Sequence, residues 1–152
     1  MTEPNFSSGR KVAGIMQRKY VSYEEVQKYI GEENMLIFYE AMAEKMELYK
    51  KKKIKINFIN YTLYMKYEER FFKNENVPIT YDYLYEICNI LGEDYFEKFL
   101  DYFSGTRLSV SYTHVRNAII CDELKKGNSA KDIAEKYKIT TAYAYKIQKR
   151  YS

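Results

Sequence analysis

The sequence predicts a mainly α fold with one or two short β-strands, in which a helical region precedes a C-terminal helix-turn-helix. Three observations lead there. Apolar residues recur at the three-and-four spacing of amphipathic helices along most of the chain. Two stretches, 54–58 and 106–112, alternate instead with period two. The end of the chain holds three short, closely capped helical patterns that include small residues.

Composition sets the outer limits. A chain of 152 residues builds one compact domain, or two very small ones sharing a core. With 18 Tyr, 8 Phe, no Trp and 2 Pro, that core is made largely of rings, and every buried Tyr hydroxyl needs a partner. Apolar stretches such as Met35 to Tyr39 fall far short of the roughly 18 residues that span a bilayer. No signal-peptide pattern opens the chain. Cys88 and Cys121 lie in helical patterns, where a free thiol behaves as a small hydrophobe. A reduced, cytoplasmic protein without membrane contact is expected.

The elements follow in order. Residues 1–19, with Pro4, Ser7, Ser8 and Gly9 and no apolar period, are expected to form a flexible arm. Ser22 and Glu25 make a capping box for a helix that turns Val26, Tyr29 and Ile30 to one side. A second helix is expected after Gly31, from Glu32 to Tyr49, with Leu36, Phe38, Tyr39, Met42, Ala43 and Met46 inward. Ile54, Ile56 and Phe58 define a half-buried strand, and Tyr61 to Lys73 a helix. Thr80 is expected to cap a helix carrying Tyr81, Leu84, Ile87, Cys88 and Leu91, which Gly92 stops. Another helix runs from Asp94 to Phe103. The second strand spans Thr106 to Tyr112, with Leu108, Val110 and Tyr112 alternating with Arg107, Ser109 and Ser111.

Residues 22–75 and 80–126 resemble one another. Ser22-Tyr23-Glu24 matches Thr80-Tyr81-Asp82, Gly31-Glu32-Glu33 matches Gly92-Glu93-Asp94, and Tyr61-Thr62 matches Tyr112-Thr113. Chance similarity in a chain so rich in Tyr, Glu and Lys is one explanation. An internal duplication is the other, and it implies a built-in pseudo-dimer. Residues 20–112 are expected to form a helical and strand region that serves dimerisation or partner binding.

Thr113 is expected to cap a helix holding Val115, Ala118, Ile119, Cys121, Asp122 and Leu124, closed by Gly127. Ser129, with Asp132 three residues on, starts the next helix, which turns Ile133, Ala134 and Tyr137 inward. Lys138-Ile139 makes a turn and Thr140 caps the last helix, Thr141 to Arg150. Ala134 permits a close crossing, Ile139 plugs the turn and Ile147 locks the last helix from behind, the pattern of a helix-turn-helix over residues 113–152. Lys138 departs from the Gly usual at such a turn, at a cost of about 1 kcal/mol. From Arg107 onward ten basic residues face four acidic ones, whereas residues 1–106 hold fifteen basic and seventeen acidic. That distribution suits phosphate binding, and a solvated Lys-rich helix face equally. In helix-turn-helix geometry the exposed side of the last helix enters the DNA major groove, so the candidate contacts are Thr140, Thr141, Ala142, Tyr143, Tyr145, Lys146, Lys149 and Arg150.

From about Thr80 onward the sequence resembles the Mor transcription activator family of Mu-like phages, regulators of the middle operon. The resemblance is carried by Phe103-Ser104-Gly105-Thr106, by Arg116 to Leu124, by Asn128, Ala134 and Tyr137, and by Tyr145-Lys146-Ile147. It implies a dimer joined through the strand residues Thr106, Leu108, Val110 and Tyr112, and activation of phage promoters together with RNA polymerase. Ser111-Tyr112 stands where the family carries a Pro-Lys pair, and the first 75 residues lie outside the match. A genuine duplication would let Ile54 to Phe58 pair with Thr106 to Tyr112 in place of a partner subunit's strand.

His114 is the single histidine, with no cysteine at metal-ligand spacing around it. Phosphate loops, nucleophile elbows and paired-carboxylate signatures do not occur, and Glu24-Glu25, Glu32-Glu33 and Glu68-Glu69 read as solvated surface. An enzyme, a cofactor and a metal are therefore not expected. The favoured reading is a DNA-binding transcription regulator of a phage or mobile element, a homodimer or internal pseudo-dimer with duplex DNA as partner. Its rival is a protein-binding inhibitor or adaptor whose N-terminal aromatic helices grip a host protein; RNA binding comes third.

Overall fold

The computed structural model describes residues 11–12, 15–16 and 19–151. Most of the expected arm, 1–19, lies outside them. The chain runs β1 (Lys11–Val12), β2 (Ile15–Met16), β3 (Lys19–Val21), α1 (Tyr23–Ile30), α2 (Glu32–Leu48), β4 (Lys53–Phe58), α3 (Tyr61–Phe72), α4 (Thr80–Leu91), α5 (Glu93–Phe103), β5 (Thr106–Ser111), α6 (Tyr112–Lys125), α7 (Ala130–Tyr137) and α8 (Thr141–Tyr151). The fold is mainly α-helical with a small three-stranded sheet, as the periodicities require. No helix among the described residues is long and apolar enough to cross a membrane.

The sheet has the order β3-β5-β4. β3 runs parallel to β5, with Tyr20 beside Arg107. The Gly105 N–H donates to Phe58 O and the Tyr112 N–H to Lys52 O, so β4 and β5 run antiparallel. Ile54, Ile56, Phe58, Thr106, Leu108 and Val110 are all buried, giving the sheet one inward face.

The described chain divides into two compact units: residues up to Phe38 with Ile54–Val110, and Tyr39–Lys53 with the chain from Ser111 onward. The first unit packs rings on rings. Phe58 meets Phe99 edge-on at 5.2 Å, and Tyr64 meets Phe96 at 4.8 Å and Tyr81 at 5.4 Å. In the second, Ile120, Cys121, Leu124, Ala130, Ile133, Ala144 and Ile147 form a core joining α6, α7 and α8.

Several local expectations need correcting. Thr80 is the first residue of α4 and caps nothing; its hydroxyl donates to Asn57 O and accepts from the Asn57 N–H, each at 3.2 Å. This serves the edge of β4, whose Asn57 backbone groups face away from β5. Met35, not Leu36, is the buried residue in the first turns of α2, because the inward stripe runs Met35, Phe38, Tyr39, Met42. The second strand stops at Ser111, which caps α6 by accepting from the His114 N–H, so Tyr112 belongs to the helix and Thr113 is not its cap. On α6 the buried stripe is Asn117, Ile120, Cys121 and Leu124, while Ala118 and Ile119 lie half-exposed. The strand assigned to a dimer is flanked on both sides within the chain, and Thr106, Leu108 and Val110 face its core.

The two similar stretches follow one plan, α1-α2-β4-α3 and α4-α5-β5-α6. Gly31 (φ 91, ψ 161) and Gly92 (φ 84, ψ 157) join the first helices with nearly the same backbone. At these positive φ values a side chain is strained, which is why both junctions use glycine. The N–H of each donates four residues back, to Gln27 and Cys88, and the carbonyl of each accepts from four residues on, at Met35 and Phe96. Counted from these glycines, Val26, Met35, Phe38, Tyr39 and Met42 correspond to Ile87, Phe96, Phe99, Leu100 and Phe103, and every one is buried. Asn60 and Ser111 then cap α3 and α6 in the same way, through the N–H three residues on.

Candidate nucleic-acid interface

The site lies in the second unit, on α7, α8 and the turn between them. Ser129 starts α7 by accepting from the Asp132 N–H at 3.1 Å, and Thr140 starts α8 by accepting from the Tyr143 N–H at 3.0 Å. Between them Lys138 adopts the left-handed conformation, φ 56 and ψ 46. The N–H groups of Lys138 and Ile139 both close on Ala134 O, and Ile139 packs onto the core beneath the turn. The turn is therefore tight although no glycine supplies it.

Two residues anchor α8 from behind, Ala144 and Ile147, both buried. The face opposite carries Thr141, Ala142, Tyr145, Lys146, Lys149 and Arg150, all exposed, Tyr145 at 59%. Lys146, Lys149 and Arg150 form no ion pair among the described residues. Lys126 lies 2.8 Å from Asp122 and Lys136 2.7 Å from Glu123, whereas Lys125, Lys131 and Lys138 are exposed and, like the three on α8, form no ion pair among the described residues. The exposed face of the last helix thus carries three cations without an acidic partner among the described residues. Thr140 is exposed, but its hydroxyl is engaged as the cap.

Tyr143 is the exception among the candidates. It is half-buried against the core, and its hydroxyl accepts from Asn117 Nδ2 at 3.4 Å. Asn117 is buried on α6, and its Oδ1 accepts from Arg116 Nε and Nη2 at 3.2 and 3.1 Å. Arg116, Asn117 and Tyr143 therefore form one chain of polar contacts that fixes where α8 starts. Neither Arg116 nor Asn117 is among the contacts expected from the sequence. The available signal was Asn117 at the head of the stripe 117-120-121-124, where an apolar residue is the default.

Glu123 ties α6 to α7, accepting from Lys136 Nζ and from the Tyr137 hydroxyl. Burial, reinforced by that carboxylate, pushes the Tyr137 phenol up to about 12, so it remains a donor at neutral pH. The helices behind α8 are thus held by core packing and polar links together.

No protein-family model, curated protein or solved structure matches this chain.

Proposed function

We propose that the chain is a sequence-specific duplex-DNA-binding regulator of transcription, with residues 112–151 acting as a helix-turn-helix and α8 as the helix that enters the major groove. The observation that carries this reading is the uncompensated, exposed basic face of α8, set opposite the buried Ala144 and Ile147 and presented by a tight left-handed turn. Thr141 and Ala142 at the leading end suit thymine methyl groups, while Lys146, Lys149 and Arg150 suit guanine edges or phosphates. Arg116 adds a cation at the start of α6. Activation with RNA polymerase, and a phage or mobile element as source, rest on the resemblance to Mor-like activators alone.

Because the strands that would join two copies already pair within one chain, the regulator works as an internal pseudo-dimer. The test is selection from a random duplex pool at two salt concentrations, with wild type beside a Lys146→Ala, Lys149→Ala, Arg150→Ala triple variant. Enrichment of one motif by wild type only supports the reading; no enrichment by either sinks it.

A second reading has its own observation. Phe71, Phe72, Ile79 and Tyr85 are large, apolar and exposed at the end of α3 and along α4, and the rings of Phe71 and Tyr81 lie 5.2 Å apart beside them. Such a patch suits a protein partner, as an adaptor or inhibitor would require. Capture of a host protein that is lost in Phe72→Ser, with no DNA motif selected, would favour it.

A further inference from the structure

The three-stranded sheet buries one face and leaves the other to solvent. On the open face Tyr20 of β3 lies beside Arg107 of β5, and Lys55 and Asn57 of β4 complete the row. Tyr20 is 49% exposed. The Arg107 guanidinium carbon lies 5.6 Å from its centroid and Lys55 Nζ 5.9 Å from it. Arg107 is held in place: its Nε donates to Asn57 Oδ1 at 2.8 Å and its Nη1 to the Tyr20 hydroxyl at 3.4 Å.

Two like charges converging on one phenol repel each other unless an anion balances them. Among the described residues neither Arg107 nor Lys55 pairs with a carboxylate. Hydrogen bonding from Arg107 first, then from Lys55, and after these their positive field hold the Tyr20 phenol below its ordinary pKa. The ligand that suits this arrangement carries a phosphate and a flat ring together. A duplex hides its base faces inside the stack, whereas an unpaired strand offers both phosphates and open bases.

We propose that this sheet face binds single-stranded nucleic acid, an unpaired base stacking on Tyr20 while Arg107 and Lys55 hold the flanking phosphates. This surface shares no residue with α8 and does not depend on the duplex reading.

The test is fluorescence anisotropy of a labelled oligo-dT strand, and of a random-sequence duplex of equal length, titrated with the full-length chain. Four variants are compared with wild type: Tyr20→Leu, Tyr20→Phe, Lys55→Gln, and the triple alanine variant of α8. Tyr20→Leu is expected to weaken strand binding roughly tenfold, the scale of one base–aromatic stack, while Tyr20→Phe keeps the ring and the affinity. Lys55→Gln weakens binding and flattens its salt dependence. The α8 variant is expected to retain strand binding. Absence of strand binding by wild type overturns the proposal. So does affinity unchanged by both Tyr20→Leu and Lys55→Gln, equal loss of duplex and strand binding in those variants, or loss in the α8 variant alone. Failure of α8 to select a duplex is read from a different nucleic acid and a different variant, so the two failures are distinguishable.

Discussion

Tyr81 is buried on α4, stacked on Tyr64, and its hydroxyl has no hydrogen-bond partner among the described residues. A lone buried hydroxyl costs about 1–3 kcal/mol, so Tyr81→Phe is expected to stabilise the protein by roughly 1 kcal/mol, read as a higher urea midpoint at unchanged slope. A lower midpoint would mean that the hydroxyl is satisfied. His114 poses the opposite problem. Its ring lies 5.5 Å from that of Tyr39 and 5.6 Å from that of Tyr151, and its Nε2 shares a 3.2 Å hydrogen bond with the Tyr39 hydroxyl. Burial lowers its pKa, because the charged ring loses water. The unfolded chain therefore takes up the proton at a higher pH than the folded one. The stability that the neutral ring contributes is complete above the ordinary value of about 6.5 and is lost as pH falls from there through the folded value. Thermal unfolding of wild type is expected to shift downward between pH 7 and pH 5, and His114→Gln to reduce that shift. Equal shifts in both proteins would assign the pH dependence to other groups.

The elements were legible wherever one local signal marked them. Ile54, Ile56 and Phe58 alternate and form β4; Ser22, Ser129 and Thr140 cap the helices they precede; Gly31 and Gly92 end helices at positive φ. What escaped depends on distant partners or on competing signals. The Thr80 hydroxyl is drawn to Asn57, twenty-three residues away in sequence, and no local pattern announces that. Ser111 and Thr113 are both cap-forming residues at the end of one alternating stretch, so the sequence could not say which would serve. β3 is only 3 residues long, too short for a period to register. At the candidate site the exposed face of α8 followed from the position of Ile147, whereas half-burial of Tyr143 depends on Asn117 of another helix. The turn before α8 carries its own test. Lys138 sits at φ 56, where a side chain costs about 1 kcal/mol relative to glycine. Lys138→Gly is therefore expected to raise the urea midpoint and leave duplex affinity nearly unchanged. A stability loss would show that the Lys138 side chain makes a contact that outweighs the strain.

On the scale of the whole molecule, the paired plans α1-α2-β4-α3 and α4-α5-β5-α6 matter most. Equivalent strands related by a two-fold axis run antiparallel, and β4 and β5 do so within one chain. The two plans end differently. Beyond α6 lie α7 and α8, which cover Ile120, Cys121 and Leu124. Counted from the helix starts at Tyr61 and Tyr112, the matching positions are Glu69 and Arg70 on α3 and Lys73 at its C-cap, exposed and polar, as a face without such a cover must be. Each chain thus has one candidate reading helix. Sedimentation equilibrium is expected to return the mass of one chain, 18.3 kDa, and a mass twice that would place the pairing surface elsewhere. The most direct measurement of the central claim is the salt dependence of affinity for the selected duplex, in wild type and in the Lys146→Ala, Lys149→Ala, Arg150→Ala variant. The account predicts weaker binding in the variant and a log–log slope shallower by roughly one for each cation that met a phosphate. Identical affinities and slopes in the two proteins would contradict it, because α8 would then not be the surface that meets DNA.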